Sequence, residues 1–325
     1  VRPSGMTFAG DGSTLVVVGS TRYQGGAFGK DDLIDMDGWV IKIDSNTGGL
    51  LEQDGGKSST RVDSSNQKDD WVTGVCADPF DQDAVYIVGK TMGKIRDLAD
   101  DQQLPDGSIH AFVARIHLHA LTVTWSKHFT MTSGQSSEAA EAFGCVVTTE
   151  DDGNSLVYVA GVVEDGALMD NSSEGASAGM DDIFVAQVSG AKGDIKWIRQ
   201  VGTPEDDGLA TGGAIAVDAD GNAIIYGETS GDFYGTNKDN DIILFTMNKI
   251  NGEYLPLGSG NGSPPLDDDD VIPGGGSIST PTQGGDNFTG EEVLPDSIVA
   301  IQSGPDVGPS YAGGMVYDKF TNALY

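Results

Sequence analysis

Short stretches in which apolar and polar residues alternate recur along the chain and predict β-strands. In residues 37–43 the apolar side chains Trp39, Ile41 and Ile43 are separated by single residues, and residues 110–116 repeat the pattern. A period of two places alternate side chains on one face of a strand, so that one face is buried more deeply than the other. No convincing helical stretch lies between these segments. The chain is therefore predicted to be all-β.

The strands belong to a repeated unit. Apolar strands that end in glycine recur about every 70 residues, at residues 14–19, 85–89, 156–161 and 223–227. A further strand follows each of them, beginning at Asp37, His110, Asp182 and Asp241. A shorter strand with an Asp- or Gly-containing turn precedes each one, which is a hairpin pattern, and a fourth strand closes the unit. Four short antiparallel strands per unit predict the blades of a β-propeller.

Part of this pattern is similar to a known repeat. The resemblance to the SBBP type of β-propeller repeat is carried by residues 210–232, 181–188 and 193–202. It covers about four units, from residue 5 to 255 with a return near 296–325. The resemblance implies an all-β propeller in secreted or surface proteins, with no defined catalytic residues. His110 departs from the pattern, because the other units have aspartate there.

Proline and glycine interrupt the repeat near the end of the chain. Eight of the 12 prolines lie between residues 256 and 309, together with the acidic run 267–270, a composition that disfavours regular structure. We predict that residues 1–256 form blades one to four, up to the third strand of blade four, and that 257–295 are inserted there. Residues 296–325 then hold the last strand of blade four and the start of a fifth blade. A free interdomain linker is the alternative for the insertion, and both chain ends look like cuts in a longer propeller.

Charge narrows the range of partners. The chain has 50 Asp and Glu against 18 Lys and Arg, a formal net charge of −32, which excludes nucleic acid because phosphate binding requires clustered Lys and Arg. No apolar stretch approaches the roughly 20 residues of a membrane span, so no membrane insertion is expected. Glycosylation acceptor triplets begin at Asn171, Asn261 and Asn287. These features predict a secreted or cell-surface protein, with an acidic cytosolic protein as the alternative.

The long loops between second and third strands are acidic. Carboxylates crowded on one loop repel one another unless a hard cation such as Ca2+, which takes about six to eight oxygen ligands, binds them. The candidate calcium ligands are Asp35, Asp37, Asp181, Asp182, Asp239 and Asp241. The alternative is solvated loops in which Asp37, Asp182 and Asp241 hydrogen-bond to turn backbone.

The histidines offer another candidate metal site. His117 and His119 share one face of a strand, with His110 and His128 in the same unit. Zinc or copper accepts such ligands. An exposed strand face is the alternative.

Cysteines and tryptophans are predicted to be buried in the blades. Cys76 and Cys145 lie on first strands of neighbouring blades, but they differ by one position, which predicts side chains on opposite faces. Two buried thiols are therefore preferred over a disulfide. Trp39, Trp125 and Trp197 occupy repeat positions and are expected in the blade core rather than on a sugar-binding surface.

No catalytic motif accompanies the repeat: the chain has no Gly-x-Ser-x-Gly elbow, phosphate-binding glycine loop or HExxH helix. We therefore expect a non-enzymatic, extracellular structural or adhesive protein that binds other proteins or glycans and self-assembles. A subunit of a surface filament, a flagellar hair or a matrix layer fits this description. The alternatives are a hydrolase or lyase acting on polysaccharide and a ligand-binding module of a surface receptor, with residues 257–295 as its specificity element.

Overall fold

The fold is all-β, as predicted. The computed structural model describes residues 2–9, 12–22, 35–51, 57–64, 68–95, 104, 108–131, 139–150, 153–168, 179–209, 215–231, 241–255, 317–318 and 323–324. All regular structure in these ranges is β-strand. Among them there is no helix with the length and hydropathy needed to cross a membrane.

The strands form antiparallel sheets in chain order. Sheet 1 consists of β1 (Arg2–Ala9), β2 (Thr14–Thr21), β3 (Asp37–Asp44) and β4 (Ser59–Val62). Sheet 2 consists of β5 (Asp70–Ala77), β6 (Ala84–Thr91), β7 (His110–His117) and β8 (Thr122–Phe129). Sheet 3 consists of β9 (Ala139–Thr149), β10 (Ser155–Glu164), β11 (Asp181–Ser189) and β12 (Ile195–Val201). Each sheet therefore has the four strands that the repeat predicts.

The described residues of sheet 4 fill three of the four strand positions of the repeat. The short strands β13 (Asp207–Leu209) and β14 (Ile215–Val217) both pair with β15 (Ala223–Thr229), which also pairs with β16 (Asp241–Met247). Near the end of the chain, β17 (Tyr317–Asp318) pairs with β18 (Ala323–Leu324). The predicted insertion at 257–295 lies outside the described residues.

The repeat glycine sits at the same register position in every sheet. Gly19, Gly89, Gly161 and Gly227 lie opposite Trp39, Phe112, Phe184 and Ile243. In sheets 1 to 3 the pairing of first and second strands shifts register beside this glycine. At Gly89 a Cβ atom would overlap the backbone oxygen of Trp71 and lie 3.0 Å from the Phe112 ring. Glycine is needed because the irregular first strand and the aromatic ring both approach the backbone closely.

The hydrophobic core lies between the sheets, in three layers. In β6, Val85 and Ile87 pack with residues of sheet 1, whereas Tyr86 and Val88 pack with residues of sheet 3. All four side chains are 0% exposed. Alternate residues of one strand thus enter different layers, which explains why the central strands are apolar almost without interruption.

Tryptophans of the fourth strands join one sheet to the next. Trp125 Nε1 donates a hydrogen bond of 3.0 Å to a backbone carbonyl of sheet 3, and Trp197 Nε1 donates one of 3.3 Å to sheet 4. Their rings cover Gly193 and Gly252, two turn residues with positive φ. Trp39, Trp125 and Trp197 are 3%, 8% and 5% exposed, so the prediction that they belong to the core is confirmed.

The junction between sheets 1 and 2 uses other residues. Ser58 stands where Trp125 and Trp197 stand in the following sheets, three positions before the residue opposite the anchor of the third strand. The corresponding turn position holds Leu121, with a φ of 48°. Leu121 is 1% exposed in the layer between sheets 1 and 2. A leucine therefore occupies the turn position that is a glycine beneath an indole at the other two junctions.

A disulfide joins Cys76 on β5 to Cys145 on β9, so the prediction of two buried thiols is wrong. Cys76 lies opposite Tyr86, and Cys145 lies opposite Val159. The two cysteines thus occupy opposite faces of their own sheets, as expected. Because the sheets stack, opposite faces of neighbouring sheets meet in one layer, where the two Cα atoms are 5.7 Å apart. The offset of one position permits the bond instead of preventing it.

Removal of this disulfide is expected to lower the free energy of unfolding by about 2–4 kcal/mol, because a crosslink restricts the unfolded chain. The bridged residues are 69 positions apart. Denaturant unfolding of the oxidised and reduced protein measures the effect. Reductant should shift the midpoint of the wild type and leave a Cys76→Ala/Cys145→Ala variant unchanged. Equal midpoints for oxidised and reduced wild type would contradict the assignment.

Candidate functional site

Carboxyl groups, some of them buried and others exposed, collect at one end of the sheet stack. The loops between second and third strands meet the connections between sheets there, because antiparallel strands place these segments opposite the tight hairpin turns. We call this region the acidic end and define it by Asp35, Asp37, Asp63, Asp69, Asp70, Glu164, Asp165, Asp181, Asp182, Asp206 and Asp207. The third strands begin at this end. On each second strand, the residue two positions after the repeat glycine pairs with a residue at the start of the third strand. The pairs are Thr21 with Asp37, Thr91 with His110, Val163 with Asp182 and Thr229 with Asp241.

Asp37 is buried beside an arginine and other acids. It is 1% exposed, and its Oδ2 lies 3.6 Å from Nε of Arg61. Arg61 also pairs with Asp63 at 3.1 Å. Neither oxygen of Asp37, nor Oδ1 of the buried Asp35, has a hydrogen-bond partner among the described residues. Burial raises the pKa of Asp37 to about 6; the Arg61 charge opposes the shift and Asp35 adds to it. This carboxyl therefore titrates close to neutral pH.

Asp70 anchors the connection between sheets 1 and 2. Its carboxylate accepts the Ser64 N–H at 2.6 Å and the hydroxyl of Thr91. Burial raises the pKa of Asp70 to about 7, although both hydrogen bonds oppose the shift. The preceding Asp69 accepts the Met36 N–H at 2.8 Å. Two successive aspartates thus fix the loops on both sides of the junction.

Asp182 is held by a side chain of the fourth strand. Gln200 Nε2 donates to Asp182 Oδ2 and to the Gly166 carbonyl, both at 2.7 Å. Gln200 Oε1 accepts the Leu168 N–H at 3.2 Å. Gln200 therefore holds the start of the loop that leaves β10 and links it to Asp182 at the start of β11.

The connection between sheets 3 and 4 repeats the arrangement that Asp70 makes between sheets 1 and 2. Asp207 begins β13, and its Oδ2 accepts the backbone N–H of Thr203 and, at 2.9 Å, the Thr203 hydroxyl. Burial raises the pKa of Asp207 against these hydrogen bonds. Burial also raises the pKa of Asp181, and neighbouring carboxylates, foremost Glu164, add to this shift. Each of these junctions therefore combines an anchoring aspartate with a crowd of negative charge.

Histidines take the place of acids between sheets 2 and 3. His110 and His128 are 0% and 4% exposed, and His128 Nε2 accepts the Ile95 N–H at 3.1 Å. Burial lowers the pKa of His128 to about 3, with the neighbouring His110 adding to the shift, so the ring is neutral and can accept. His117 and His119 lie at the other end of β7 and in the turn that follows it. The four histidines therefore form two pairs at opposite ends of the strand, which separates the residues of the predicted zinc or copper site.

The predicted calcium ligands fall into separate groups. Asp35 lies with Asp37, and Asp181 lies with Asp182, at two different junctions. Asp241 begins β16, its side chain is not among those described, and Asp239 lies outside the described residues. Within the described part of the chain, no group of three or more His, Cys, Asp or Glu residues is arranged to hold a metal ion. Calcium binding stays a prediction.

The predicted glycosylation acceptors Asn171, Asn261 and Asn287 all lie outside the described residues. Glycosylation therefore also stays a prediction. What the described acidic end can do by itself is electrostatic: its carboxylates attract cations and disfavour anionic ligands.

Asp37, His110 and Asp182 each have a neighbouring side chain on the fourth strand that the sequence analysis did not predict. Arg61, His128 and Gln200 occupy one register position, opposite Trp39, Phe112 and Phe184. A constant interval from the aromatic anchor is the available signal, since it is 16 residues in sheets 2 and 3. In sheet 1 a longer loop extends the interval to 22 residues and hides the equivalence.

Comparisons with known proteins assign no family. No protein-family model matches the chain, and no curated protein matches it. Among solved structures, a chain of hydrazine synthase from Kuenenia stuttgartiensis is similar, with a TM-score of 0.40 and 14% sequence identity. The match covers 76% of this chain and 53% of the hydrazine synthase chain, about half of its length. A similarity this low identifies neither the function nor the site.

The buried carboxyls predict that the protein is more stable in mild acid. Asp70 and Asp37 titrate near 7 and 6 when folded and near 3.8 when unfolded. Their contribution to stability is full below pH 4 and is lost as the pH rises through 6 and 7. The free energy of unfolding, measured with urea across this range, should fall with pH, and Asp70→Asn should flatten the slope.

Asp44→Asn provides a control of opposite sign. Hydrogen bonds from the backbone N–H groups of Asn46 and Thr47 lower the pKa of Asp44, so its contribution is present above pH 4 and lost in acid. An Asp70→Asn slope equal to that of the wild type would contradict the assignment of a buried, raised pKa to Asp70.

Proposed function

We propose that the chain is part of an extracellular, non-enzymatic β-propeller protein with a structural or adhesive function at or near the cell surface. Its units act as propeller blades, about four with the start of a fifth, and present loops to other proteins or glycans. A surface filament, a flagellar hair or a matrix layer is the kind of assembly it would join.

Close approach of the first strands supports the propeller arrangement, in which these strands line the centre. Ser4 Oγ donates to the Val72 carbonyl at 2.6 Å, and Thr73 Oγ1 donates to the Ala142 carbonyl of the next sheet. A Cβ atom on Gly74 would lie 2.7 Å from the Phe143 carbonyl oxygen. First strands that hydrogen-bond across consecutive sheets are expected where blades converge.

The disulfide between Cys76 and Cys145 is the observation that carries the extracellular proposal. Disulfides persist in oxidising compartments and are rare where glutathione keeps thiols reduced. This bond crosses from one sheet to the next, so it reinforces the stack and not a single hairpin. A protein that must keep its shape outside the cell benefits from such a crosslink.

Burial of the titratable carboxyls favours this function over the polysaccharide hydrolase or lyase. Asp37, Asp70 and Asp207 have raised pKa values, as catalytic carboxyls often do, but they are 1%, 0% and 0% exposed. A polymer chain cannot reach them in this conformation. The hydrogen bonds that Asp70 and Asp207 accept hold loop residues instead. The surface-receptor alternative depends on residues 257–295, which lie outside the described residues.

The extracellular proposal predicts an oxidised, glycosylated native protein. Mass spectrometry of protein taken from its natural source, alkylated with and without prior reduction, should find Cys76 and Cys145 blocked until reduction. Glycosidase treatment should remove mass at one or more of Asn171, Asn261 and Asn287. Free thiols together with an absence of glycan at all three acceptors would overturn this proposal.

Binding assays separate an adhesive protein from an enzyme. The oxidised protein is expected to bind an extracellular protein or polysaccharide saturably and leave the polymer length unchanged. Shortening of a polysaccharide by substoichiometric protein, with loss of that activity in Asp37→Asn, would favour the hydrolase. Phe80→Lys, which changes an exposed turn residue, is the control for altered surface charge.

Calcium binding by the acidic loops belongs to the same proposal. Its support is the crowding of carboxylates, because neighbouring acids contribute to the raised pKa values of Asp37 and Asp181. Ca2+ would relieve this repulsion. The melting temperature should therefore rise with Ca2+ and fall with chelator, and Asp35→Asn/Asp37→Asn should reduce the response. A melting temperature that changes neither with Ca2+ nor with chelator would show that these loops bind no calcium.

A further inference from the structure

Asp70 belongs to a buried hydrogen-bond cluster at the junction between sheets 1 and 2. Its Oδ2 accepts the Ser64 N–H at 2.6 Å, and its Oδ1 forms a hydrogen bond with the Thr91 hydroxyl. Thr91 Oγ1 also lies 2.7 Å from the Gly93 carbonyl oxygen and accepts the Gly93 N–H at 2.8 Å. Asp70 and Thr91 are both 0% exposed. These oxygens are shielded from solvent, so the cluster has to supply the protons of its own hydrogen bonds.

A count of these protons places one of them on Asp70. A hydroxyl group carries a single proton and two lone pairs, yet Thr91 Oγ1 contacts two acceptor oxygens, Asp70 Oδ1 and the Gly93 carbonyl. With an ionised Asp70, one of these contacts would join two oxygens with no proton between them. A neutral Asp70 donates its own proton to Thr91 Oγ1, and the Thr91 hydroxyl then donates to the Gly93 carbonyl. Both contacts are therefore satisfied when the carboxyl is protonated.

The charges around Asp70 favour the neutral form as well. Burial raises its pKa to about 7, and the carboxylate of Asp37 on β3 adds to the shift. Arg61 pairs with Asp37, and Arg22 pairs with Asp69. The other charged residues of the adjoining segments are Asp63, Lys68 and Lys94. No ion pair among the described residues includes Asp70, so no cation offsets the cost of its ionisation.

The junction between sheets 2 and 3 has apolar residues at the corresponding positions. The cross-strand pairs in sheets 2, 3 and 4 are Asp70 with Thr91, Ala140 with Val163, and Asp207 with Thr229. On the connecting segments, Met131 takes the place of Ser64, because each lies three residues after the register position shared by His128 and Arg61. Ala140, Val163 and Met131 are 0%, 0% and 1% exposed in the layer between sheets 2 and 3. That junction therefore closes without a carboxyl group at these positions.

We propose that Asp70 holds a proton in the folded protein and that loss of this proton opens the junction between sheets 1 and 2, while the junction between sheets 2 and 3 stays closed. Deprotonation transfers the proton from Asp70 Oδ1 to solvent and leaves two oxygens competing for the single Thr91 hydroxyl proton. The buried charge then favours a state in which the connection that holds Ser64 moves away and admits water. This inference goes beyond the extracellular proposal and does not depend on it.

The protonation state of Asp70 can be measured directly in the full, oxidised chain. Its carboxyl carbon chemical shift, assigned by comparison with an Asp70→Asn variant, should report a neutral group near pH 5.5 and an ionised group near pH 8.5. Chelator is present throughout, so that no divalent cation replaces the proton. An Asp70 that is ionised over the whole range would overturn the inference.

Hydrogen exchange of single amides measures the opening. The N–H groups of Ser64 and Gly93 bind Asp70 and Thr91, and the control N–H of Ala140 binds the Ile109 carbonyl between sheets 2 and 3. After correction for the intrinsic effect of pH on exchange, protection at Ser64 and Gly93 should fall at least about tenfold between pH 5.5 and 8.5. Both amides should exchange faster than the global unfolding constant measured with urea allows, whereas Ala140 should not.

Two variants connect the opening to the proton. Asp70→Asn imitates the neutral carboxyl, because its amide donates to Thr91 and accepts from Ser64, so protection should change much less with pH. Ser64→Met/Asp70→Ala/Thr91→Val copies the apolar residues of the next junction and should also be insensitive to pH. The control Asp83→Asn removes one negative charge at an exposed turn residue and should behave like the wild type. Thermal melts establish that each variant is folded.

An equal loss of protection in Asp70→Asn and in the wild type would overturn the inference, because the opening would then not depend on this proton. Exchange at Ala140 that is as fast as at Ser64 would also overturn it, since the opening would not be confined to one junction. The extracellular proposal fails separately, through free thiols and missing glycans in the native protein.

Discussion

The fold depends on the burial of both faces of the inner sheets, 2 and 3. A four-stranded sheet has no core of its own, and its apolar side chains point in two directions. In β10, Val157 and Val159 enter the layer shared with sheet 2, while Tyr158 and Ala160 enter the layer shared with sheet 4. Sheets 2 and 3 are therefore stabilised from both sides, and the stability of the stack is a sum of contacts between adjacent units.

Polar groups take over where the apolar layers end. Asp70, Asp182 and Asp207 are nearly or wholly inaccessible to water, yet each accepts hydrogen bonds from a loop or from a neighbouring strand. Burial of a carboxylate is costly unless donors surround it, and here the donors are the N–H, hydroxyl and amide groups of the segments that connect the sheets. The acidic end thus has a structural role, because its carboxylates hold the segments that connect the sheets, and it also concentrates negative potential. These two roles explain why carboxyl groups so abundant in the sequence are also found at inaccessible positions.

The positions of the strands could be predicted because local signals define them. A period of two marks the strands, and the repeat glycines mark the register at which Trp39, Phe112 and Phe184 cover the second strand. The partner of Cys76 could not be predicted by the same reasoning, since faces were compared within a unit while the bond forms between units. The clamps made by Gln200 and Arg61 escaped prediction for a related reason. Their partners are defined by register across two strands, and the intervening loops differ in length.

Each junction between sheets has its own matched pair of residues. Trp125 and Trp197 lie over glycines, whereas the unit with Ser58 is followed by Leu121 at the same turn position. If a unit were exchanged or duplicated by recombination, an indole would meet a leucine, or a small serine would leave a void beside a glycine. The units are therefore related in sequence but not interchangeable, because the residues matched at each junction fit only one order of units along the chain. A viable duplication would have to copy a junction whole, together with the residues on both of its sides.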